Sequence, residues 1–512
     1  MTAAADLVLT NAELHTLADP DEAYEAVAVR DGTVVRLGSA WEVDHLVGVR
    51  TDVIDLEGRV LLPGFVDAHT HMTMLGQYLV HADLRAAEGP GDCIEQLREP
   101  AEERDADDWV LGFGFDESGW AESRYLTRED LDAVSRDRPV AAFREDMHVA
   151  AVNSAALERH REKMPDADVR TAAGEPTGVL VEEAIDVIYR AIEPDREETR
   201  ELLRAAQAAA NRRGVTMVHD MVRQSNAPGV YRALERSDEL TLRVRLNYWS
   251  DHLDALIETG LATNDGSGMV QVGAIKTYTD GSIGGRTATV DAPYADGEGS
   301  GQWVVPPAEL EALVERADEH GFQLAAHAIG DVAVDTVLDA YPRTADPGGA
   351  RHRIEHAELT SEGAIERMAD LGVVASVQPN FLKWARPGGL YEQRLGPDRG
   401  TSTNRYREML DAGVDLAFGS DGMPLDPLFG VARAVNHPTA SQQLTVTEAL
   451  RAYTAGGAHA GFDEGRLGAM DVGTRADFVA LSRSPWATPA TIDEIDVALT
   501  VVDGDVVYDD WS

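Results

Sequence analysis

The feature that most constrains this chain is a series of short apolar segments that alternate with stretches of helical periodicity. Seven such segments, predicted as strands, are VLLPGFVDAHTH, GVTMVHDM, VGAIKTYTD, GFQLAAHAIGD, RIEHAEL, GVVASVQPN and VDLAFGSDG. Most are followed by a segment such as AELEALVERADEHG, in which apolar residues recur at helical spacing. Strands alternating with helices over about 400 residues predict parallel βαβ units and favour an α/β fold of the (β/α)8 TIM-like barrel type. No Gly-rich phosphate fingerprint follows the first strand, which disfavours an open doubly wound sheet.

The two ends of the chain resemble each other and predict a second, smaller domain. AVAVRDGTVVRLG near the N-terminus and ALTVVDGDVVYDD near the C-terminus each place an Asp-Gly pair between two β-rich runs. Each pattern is typical of a hairpin, and a short β-segment cannot bury a core alone. The predicted limits are 1–60 plus 462–512 for a composite β-sandwich domain, 61–461 for the barrel, and about 75–200 for an insertion over the barrel mouth.

The charge of the chain excludes some partners. Its 512 residues include 45 basic and 90 acidic ones, which give a net charge of −45. A surface this acidic repels nucleic acid and anionic membranes, so neither is expected as a partner. Lysine occurs only at Lys163, Lys276 and Lys383. This acid-rich, lysine-poor balance is similar to that of halophilic proteins, and the alternative is an ordinary acidic enzyme from a high-GC genome.

Cysteine content and hydropathy set the expected environment. The single cysteine, Cys93, excludes an internal disulfide framework and a metal cluster held by thiolates. The opening MTAAADLVLTNAEL lacks a basic segment followed by an apolar one, and no segment reaches about 18 uninterrupted apolar residues. We therefore expect a soluble, cytoplasmic protein.

Five of the predicted strands carry a metal-capable side chain at or near their C-terminal ends. These are His69 and His71, Lys276, His327, His356 and Asp421. In a barrel those ends converge on one mouth, and residues two apart on a strand share a face. A single buried histidine is more often a core group, but the joint occurrence at successive strand ends favours a metal site. We interpret Asp67 as a support for one histidine and His219 as a structural or supporting residue.

Lys276 lies in an apolar strand, where burying an ammonium group is costly unless it is paired or neutralised. The chain otherwise prefers arginine, which supplies a salt bridge equally well. A retained lysine therefore suggests a need for its amine, and reaction with carbon dioxide would turn it into an anionic bridge between metals. The alternative is a lysine paired to a carboxylate such as Asp280.

Several motifs now point to a known family. DAHTH, IKTYTDGSIGGRTA, AHAIGD, RIEH and GSD resemble the amidohydrolase superfamily, in the branch of YtcJ-like proteins and N-substituted formamide deformylase (amidohydrolase family 3). HVAAVNSAAL, GEPTGVLVEEA and ADFVAL are also similar to that branch, so the resemblance covers essentially the whole chain. The resemblance implies two metal ions and a homodimer. It assigns the first ion to His69, His71 and Asp421, the second to His327 and His356, and the bridge to a carboxylated Lys276.

These ligands indicate hydrolytic chemistry. Nitrogen and oxygen donors suit zinc first, with manganese, cobalt, nickel or iron as alternatives. A bound divalent ion lowers the pKa of water from about 16 towards about 7, so hydroxide is available at neutral pH. Asp421 would accept the proton as hydroxide attacks a carbonyl carbon, and would return it to the leaving nitrogen.

Together with these ligands, the resemblance implies a metal-dependent amidohydrolase that cleaves a non-peptide C–N bond in a small-molecule amide or N-substituted formamide. A lactone or ester hydrolase and a metal-dependent isomerase are alternatives on the same scaffold. A non-catalytic binding or regulatory protein is the alternative of another class, and a broken ligand set would be its expected mark.

Loop-like segments near the predicted mouth supply candidate substrate-binding residues. These candidates are Asp116, Trp120, His148, Asn153 and Arg286. The alternative role for each is capping or loop packing, and aromatic residues such as Trp120 belong more often to a core.

Overall fold

The computed structural model describes residues 4–103, 108–145 and 149–511 of the chain. It divides into two compact units. One unit contains Met1–His71 and Gln207–Ser512, and the other contains Met72–Ala206. Each unit is described below by itself.

The larger unit is built around an eight-stranded parallel sheet. In chain order its strands are Phe65–Thr70, Val215–Val222, Arg243–Trp249, Val270–Tyr278, Leu324–Ala328, Arg353–His356, Val374–Val377 and Leu416–Phe418. Each strand pairs in parallel with the next one along the chain. The amide of Asp421, just after the eighth strand, donates to the carbonyl of His69 at 2.7 Å. The sheet is therefore nearly closed, which confirms the predicted barrel.

Burial explains why the barrel strands are apolar runs rather than alternating ones. Every residue of the first, second and third strands is buried, as expected for a parallel sheet covered on both faces. The helix Ala227–Arg236 that follows the second strand buries Ala227, Val230, Tyr231 and Leu234, which recur at helical spacing. The α-helices of both units are Ala40–Asp44, Met72–Val80, Pro90–Glu103, Arg128–Asp132, Ser154–His160, Glu183–Ala191, Arg196–Arg212, Ala227–Arg236, Leu253–Glu258, Pro307–Glu319, Asp331–Ala340, Glu362–Leu371, Leu390–Leu395, Pro397–Gly400, Tyr406–Asp411, Pro427–Val435, Val446–Arg451 and Gly457–Ala460.

Both chain ends contribute to a small β-structure in the same unit. Its four-stranded sheet contains, in spatial order, Thr33–Gly38, Ala26–Arg30, Leu7–Thr10 and Asp52–Asp55. Its six-stranded sheet contains Asp505–Asp509, Val497–Val502, Phe478–Leu481, Val60–Pro63, Glu13–His15 and Ala23–Tyr24. Leu9, Val27, Leu61, Phe478 and Val501 share one apolar core. The sheets confirm the extra β-domain built from both termini, while its limits at residues 1–60 and 462–512 stay a prediction.

Both predicted hairpins of this β-structure are present. Arg30 pairs with Thr33 across the first turn, and Val502 pairs with Asp505 across the second. Gly32 has φ +66° and Gly504 has φ +91°, a conformation that L side chains rarely adopt. The Asp-Gly pairs therefore provide the turn geometry that the sequence indicates.

The smaller unit, Met72–Ala206, has its own six-stranded sheet. In spatial order the strands are Val169–Ala172, Glu175–Val181, Val149–Val152, Val140–Arg144, Val110–Phe115 and Ala82–Asp83. This unit occupies the stretch where the sequence predicts an insertion, and the location of the insertion over the barrel mouth stays a prediction. No helix in the described part of the chain is both long and apolar enough to cross a bilayer.

Candidate metal centre

Two histidines and an aspartate form a compact cluster of metal-capable groups at the barrel mouth. His69 lies in the first barrel strand, His71 follows that strand, and Asp421 follows the eighth. Oδ1 of Asp421 is 3.6 Å from Nε2 of His69 and 3.2 Å from Nε2 of His71. The three ligand atoms lie within 4.8 Å of one another. One divalent ion fits such a set of two imidazoles and a carboxylate.

Backbone contacts explain how residues so distant in sequence come together. Oδ1 of the buried Asp67 accepts hydrogen bonds from the amides of His69 at 3.1 Å and Ser420 at 3.0 Å. A Cβ atom on Gly419 would come within 2.5 Å of the amide nitrogen of His69. Asp67 thus supports the centre through the backbone, joining the first strand to the loop that carries Asp421, rather than through an imidazole.

The other predicted ligands lie beside this cluster. The ring centroids of His69 and His356 are 4.9 Å apart, and those of His356 and His327 are 4.5 Å apart. Nε2 of His327 lies 3.0 Å from the carbonyl oxygen of Gly281. Since that carbonyl can only accept, Nε2 donates, and Nδ1 is the nitrogen of His327 available to a metal.

Burial keeps these imidazoles neutral. It lowers the pKa values of His69, His327 and His356 well below the usual range, and nearby cationic groups lower them further. Neutral imidazoles retain the lone pair that a metal requires. The donor set therefore fits a metal in charge as well as in geometry.

Lys276 is buried in the fourth strand. Its Nζ lies 5.8 Å from the ring centroids of both Trp249 and Tyr278. Burial lowers the pKa of Lys276 to about 8, although Glu355 and Asp421 act in the opposite direction. A substantial fraction of the amine is therefore neutral near pH 8, as reaction with carbon dioxide requires.

Two buried charged residues next to the histidines, Glu355 and Arg353, are not among the candidates predicted from the sequence. Nδ1 of His69 lies 2.6 Å from Oε2 of Glu355, and Arg353 donates to both oxygens of that carboxylate. Burial alone would raise the pKa of Glu355, but Arg353 and Lys276 lower it below its ordinary value. The one available signal is that RIEH places an arginine and a glutamate two apart in a strand that is entirely buried.

Aromatic rings flank the histidines. Tyr278 packs against His327 with ring centroids 4.7 Å apart, and Trp249 packs against Tyr278 at 5.2 Å. On another side Phe381 stacks on His356 at 5.9 Å and contacts Trp384 at 4.8 Å. These rings give the centre apolar walls.

Two of the candidate substrate-binding residues have structural roles in the smaller unit. The amide of Asn153 donates to the carbonyls of Ser135 and Arg138, and its oxygen accepts from the amides of Val140 and Ala156. Trp120 is 5% exposed, and its Nε1 donates to a backbone carbonyl. The structure therefore favours capping for Asn153 and core packing for Trp120 over substrate binding.

The remaining candidates occupy different positions. Asp116, in the smaller unit, accepts from the amide of Ser118 and pairs with Arg144 at 3.0 Å. Arg286, in the larger unit, forms a two-contact ion pair with Asp296 at 2.9 and 2.8 Å. His148 lies outside the described residues. A substrate role for these three residues stays a prediction.

A parallel barrel with histidines and an aspartate at its strand ends is the architecture of a class of metal-dependent hydrolases. The amidohydrolase family model matches residues 52–508. YtcJ of Bacillus subtilis strain 168 is 32% identical over 523 residues, which cover 97% of this chain and 98% of that protein. The chain therefore belongs to the amidohydrolase family, as its motifs predict.

Two further relatives bear on the function. N-substituted formamide deformylase of Arthrobacter pascens is 27% identical over 546 residues, which cover 99% of each chain. A solved structure, described as an uncharacterized metal-dependent hydrolase from Pyrococcus horikoshii OT3, is similar with a TM-score of 0.82 and 30% identity. That similarity covers 94% of this chain and 99% of the other.

Proposed function

We propose that this protein hydrolyses a non-peptide C–N bond in a small-molecule amide or N-substituted formamide, using a divalent metal held by His69, His71 and Asp421. The observation that carries the proposal is the cluster of two Nε2 atoms around one carboxylate oxygen at the barrel mouth. The relative named N-substituted formamide deformylase supports the choice of bond. Zinc is the proposed ion, because imidazole and carboxylate ligands suit it.

In the proposed reaction the metal activates water and the carbonyl group, and Asp421 transfers the proton. A bound divalent ion would supply Lewis acidity for the carbonyl group and lower the pKa of a water molecule. Asp421 is ionised and so has lone pairs free to accept a proton, because contacts with His69, His71 and Lys276 hold its pKa below the ordinary value although burial raises it. The same carboxyl group can return the proton to the leaving nitrogen, which then departs as a neutral amine.

A second ion is proposed beside the first. Its ligands would be His327, His356 and Lys276, the last as a carbamate formed when the neutral amine adds to carbon dioxide and releases one proton. The ring spacing of 4.5 Å between the two histidines supports a shared ligand position. The aromatic walls favour a substrate with an apolar substituent.

A panel of substrates tests which type of bond the protein hydrolyses. Metal-loaded protein is assayed with N-substituted formamides, other amides, esters and lactones, and with Asp421→Asn as the inactive form. We expect turnover of the C–N substrates and a loss of at least about 10³-fold in Asp421→Asn. Asp463→Asn, another buried aspartate of the same unit, is the control and should retain activity. Turnover of esters or lactones alone would contradict the proposal, as would an active Asp421→Asn.

A further inference from the structure

His69 is the outermost member of a line of buried side chains that runs through the barrel interior. Its Nδ1 lies 2.6 Å from Oε2 of Glu355, and the two side chains are 1% and 0% exposed. Because an ionised carboxylate only accepts hydrogen bonds, Nδ1 of His69 must be the donor. Nε2 of His69 then carries the lone pair, and this is the atom that faces Asp421.

Arg353 holds the carboxylate of Glu355 in place. Its guanidinium donates to Oε1 of Glu355 at 2.8 Å and to Oε2 at 3.2 Å. It also donates to the carbonyl of Ala68 at 2.6 Å and to Oγ of Ser376 at 2.8 Å. A guanidinium held in one plane by acceptors from three strands leaves the carboxylate of Glu355 little freedom to turn.

His219 is the last of these buried side chains and contacts Arg353. Nη1 of Arg353 lies 2.7 Å from Nδ1 of His219. Since arginine cannot accept, Nδ1 of His219 accepts and its proton resides on Nε2. That Nε2 is buried and forms no hydrogen bond with any described residue. A buried donor without a partner is costly, so an apolar residue would serve a purely structural role better.

We propose that Glu355, Arg353 and His219 are positioning residues that orient His69 and keep its Nε2 as the metal donor. We call these three residues the relay. The inference rests on the proposed metal centre, because it assigns the relay to one ligand of that centre. Hydrogen bonds to the second nitrogen of a ligating histidine are a recognised means of tuning a metal site.

The chain offers a matched control. Arg245 is buried in the third strand and pairs with the buried Asp463 at 3.0 Å. Arg245 also contacts Asn264 and Gln271, and its described hydrogen bonds include none to His69 or Glu355. Asp463→Asn therefore removes the charge of a comparably buried ion pair and leaves the hydrogen bonds of His69 and Glu355 in place.

The test measures metal affinity rather than turnover. Full-length protein is stripped with a chelator and titrated with Co²⁺ against a competing chelator, and visible absorption reports the ligand field. We expect Glu355→Gln to lower Co²⁺ affinity about 10- to 100-fold and to change the absorption spectrum. Asp463→Asn should leave both unchanged. Equal affinities of Glu355→Gln and the wild type, or equal losses in both variants, would overturn the proposal.

Variants at His219 keep the test decisive if Glu355→Gln does not fold. His219→Leu removes the acceptor for Arg353, and we expect it to lower affinity by at least about threefold. His219→Asn places an amide oxygen near the position of Nδ1 and should restore affinity. Wild-type affinity in His219→Leu would overturn the relay, as would a loss that His219→Asn does not restore. Failure of the wild type to bind Co²⁺ would overturn the metal centre itself and the relay with it.

Discussion

At the residue scale, a variant of Lys276 tests whether the proposed centre holds a second ion. Lys276→Ala should remove the proposed bridge, so metal content should fall from two ions to one and turnover should be lost. A short carboxylic acid can occupy the space of the missing carbamate and supply two oxygens. We therefore expect acetate or propionate to restore part of the activity and the second ion, as measured by elemental analysis and assay.

The control for this prediction is Lys163→Ala. Lys163 is exposed in the smaller unit and is not among the proposed ligands. It should retain both ions and should not respond to added carboxylic acid. Full metal content in Lys276→Ala would contradict the bridging role.

The ligand candidates and the supporting position of Asp67 could be predicted from sequence, but the contacts of Glu355 and Arg353 could not. His69, His71 and Asp421 are recognisable because each stands at or just beyond the end of a predicted strand. The hydrogen bond between His69 and Glu355 joins residues 286 positions apart, and no local pattern encodes such a pairing. The sequence also leaves both roles of Asn153 open, because a cap and a ligand contact use the same amide and only the folded neighbours distinguish them.

At the element scale, the close approach of the first strand to the loop after the eighth should be sensitive to volume. Gly419→Ala places a methyl group 2.5 Å from the amide nitrogen of His69, so strand and loop must separate. We expect a loss of about 1–3 kcal/mol in the free energy of unfolding, together with weaker metal binding. Urea denaturation and metal titration measure the two effects.

Gly363→Ala provides the matched change. Its Cβ would meet only Oγ of Ser361, at 4.0 Å, within the helix Glu362–Leu371. We expect unchanged metal binding and a gain of up to about 1 kcal/mol in stability. Equal stability and metal affinity in Gly419→Ala and the wild type would show that the predicted contact is unimportant.

Two buried histidines outside the ligand set should make stability depend on pH. Nδ1 of His352 accepts from the amide of Leu324 at 3.1 Å, and Nδ1 of His437 accepts from the amide of Thr439 at 3.0 Å. Burial lowers both pKa values from 6.5 to about 4. Between those values the unfolded chain binds protons that the folded chain excludes, so stability present above pH 6.5 is lost as pH falls towards 4. Each histidine contributes up to about 3 kcal/mol to that loss.

Urea denaturation of metal-free protein at several pH values measures this dependence. His352→Asn and His437→Asn each retain an acceptor but cannot be protonated in this range. We expect each variant to lose less stability than the wild type on acidification. The same loss in all three proteins would contradict the assignment.

At the scale of the whole molecule, the net charge of −45 should make folding depend on salt. The Debye length falls from about 10 Å in 0.1 M salt to about 3 Å in 1 M salt, so dilute buffer leaves repulsion between acidic groups less screened. We expect the urea midpoint to fall as KCl is reduced from molar to dilute concentrations. A midpoint that is unchanged or rises would reject the halophilic interpretation.

Only part of the overall architecture could be predicted from the sequence. The barrel could be predicted because its strands are continuous apolar segments separated by helical periodicity, a pattern that one topology explains best. The six-stranded sheet of Met72–Ala206 could not, because it combines parallel and antiparallel pairs and includes a strand as short as Ala82–Asp83. Such a sheet leaves no repeating pattern in the sequence.

The proposed metal centre is best tested by the metal content of the purified protein. Protein prepared in high salt without chelator is analysed for divalent metals, beside His71→Ala, which removes one ligand of the compact cluster. We expect two ions per chain in the wild type and a reduced content in His71→Ala. A wild type that holds no ion, even after reconstitution with zinc, manganese or cobalt, would contradict the proposed metal centre.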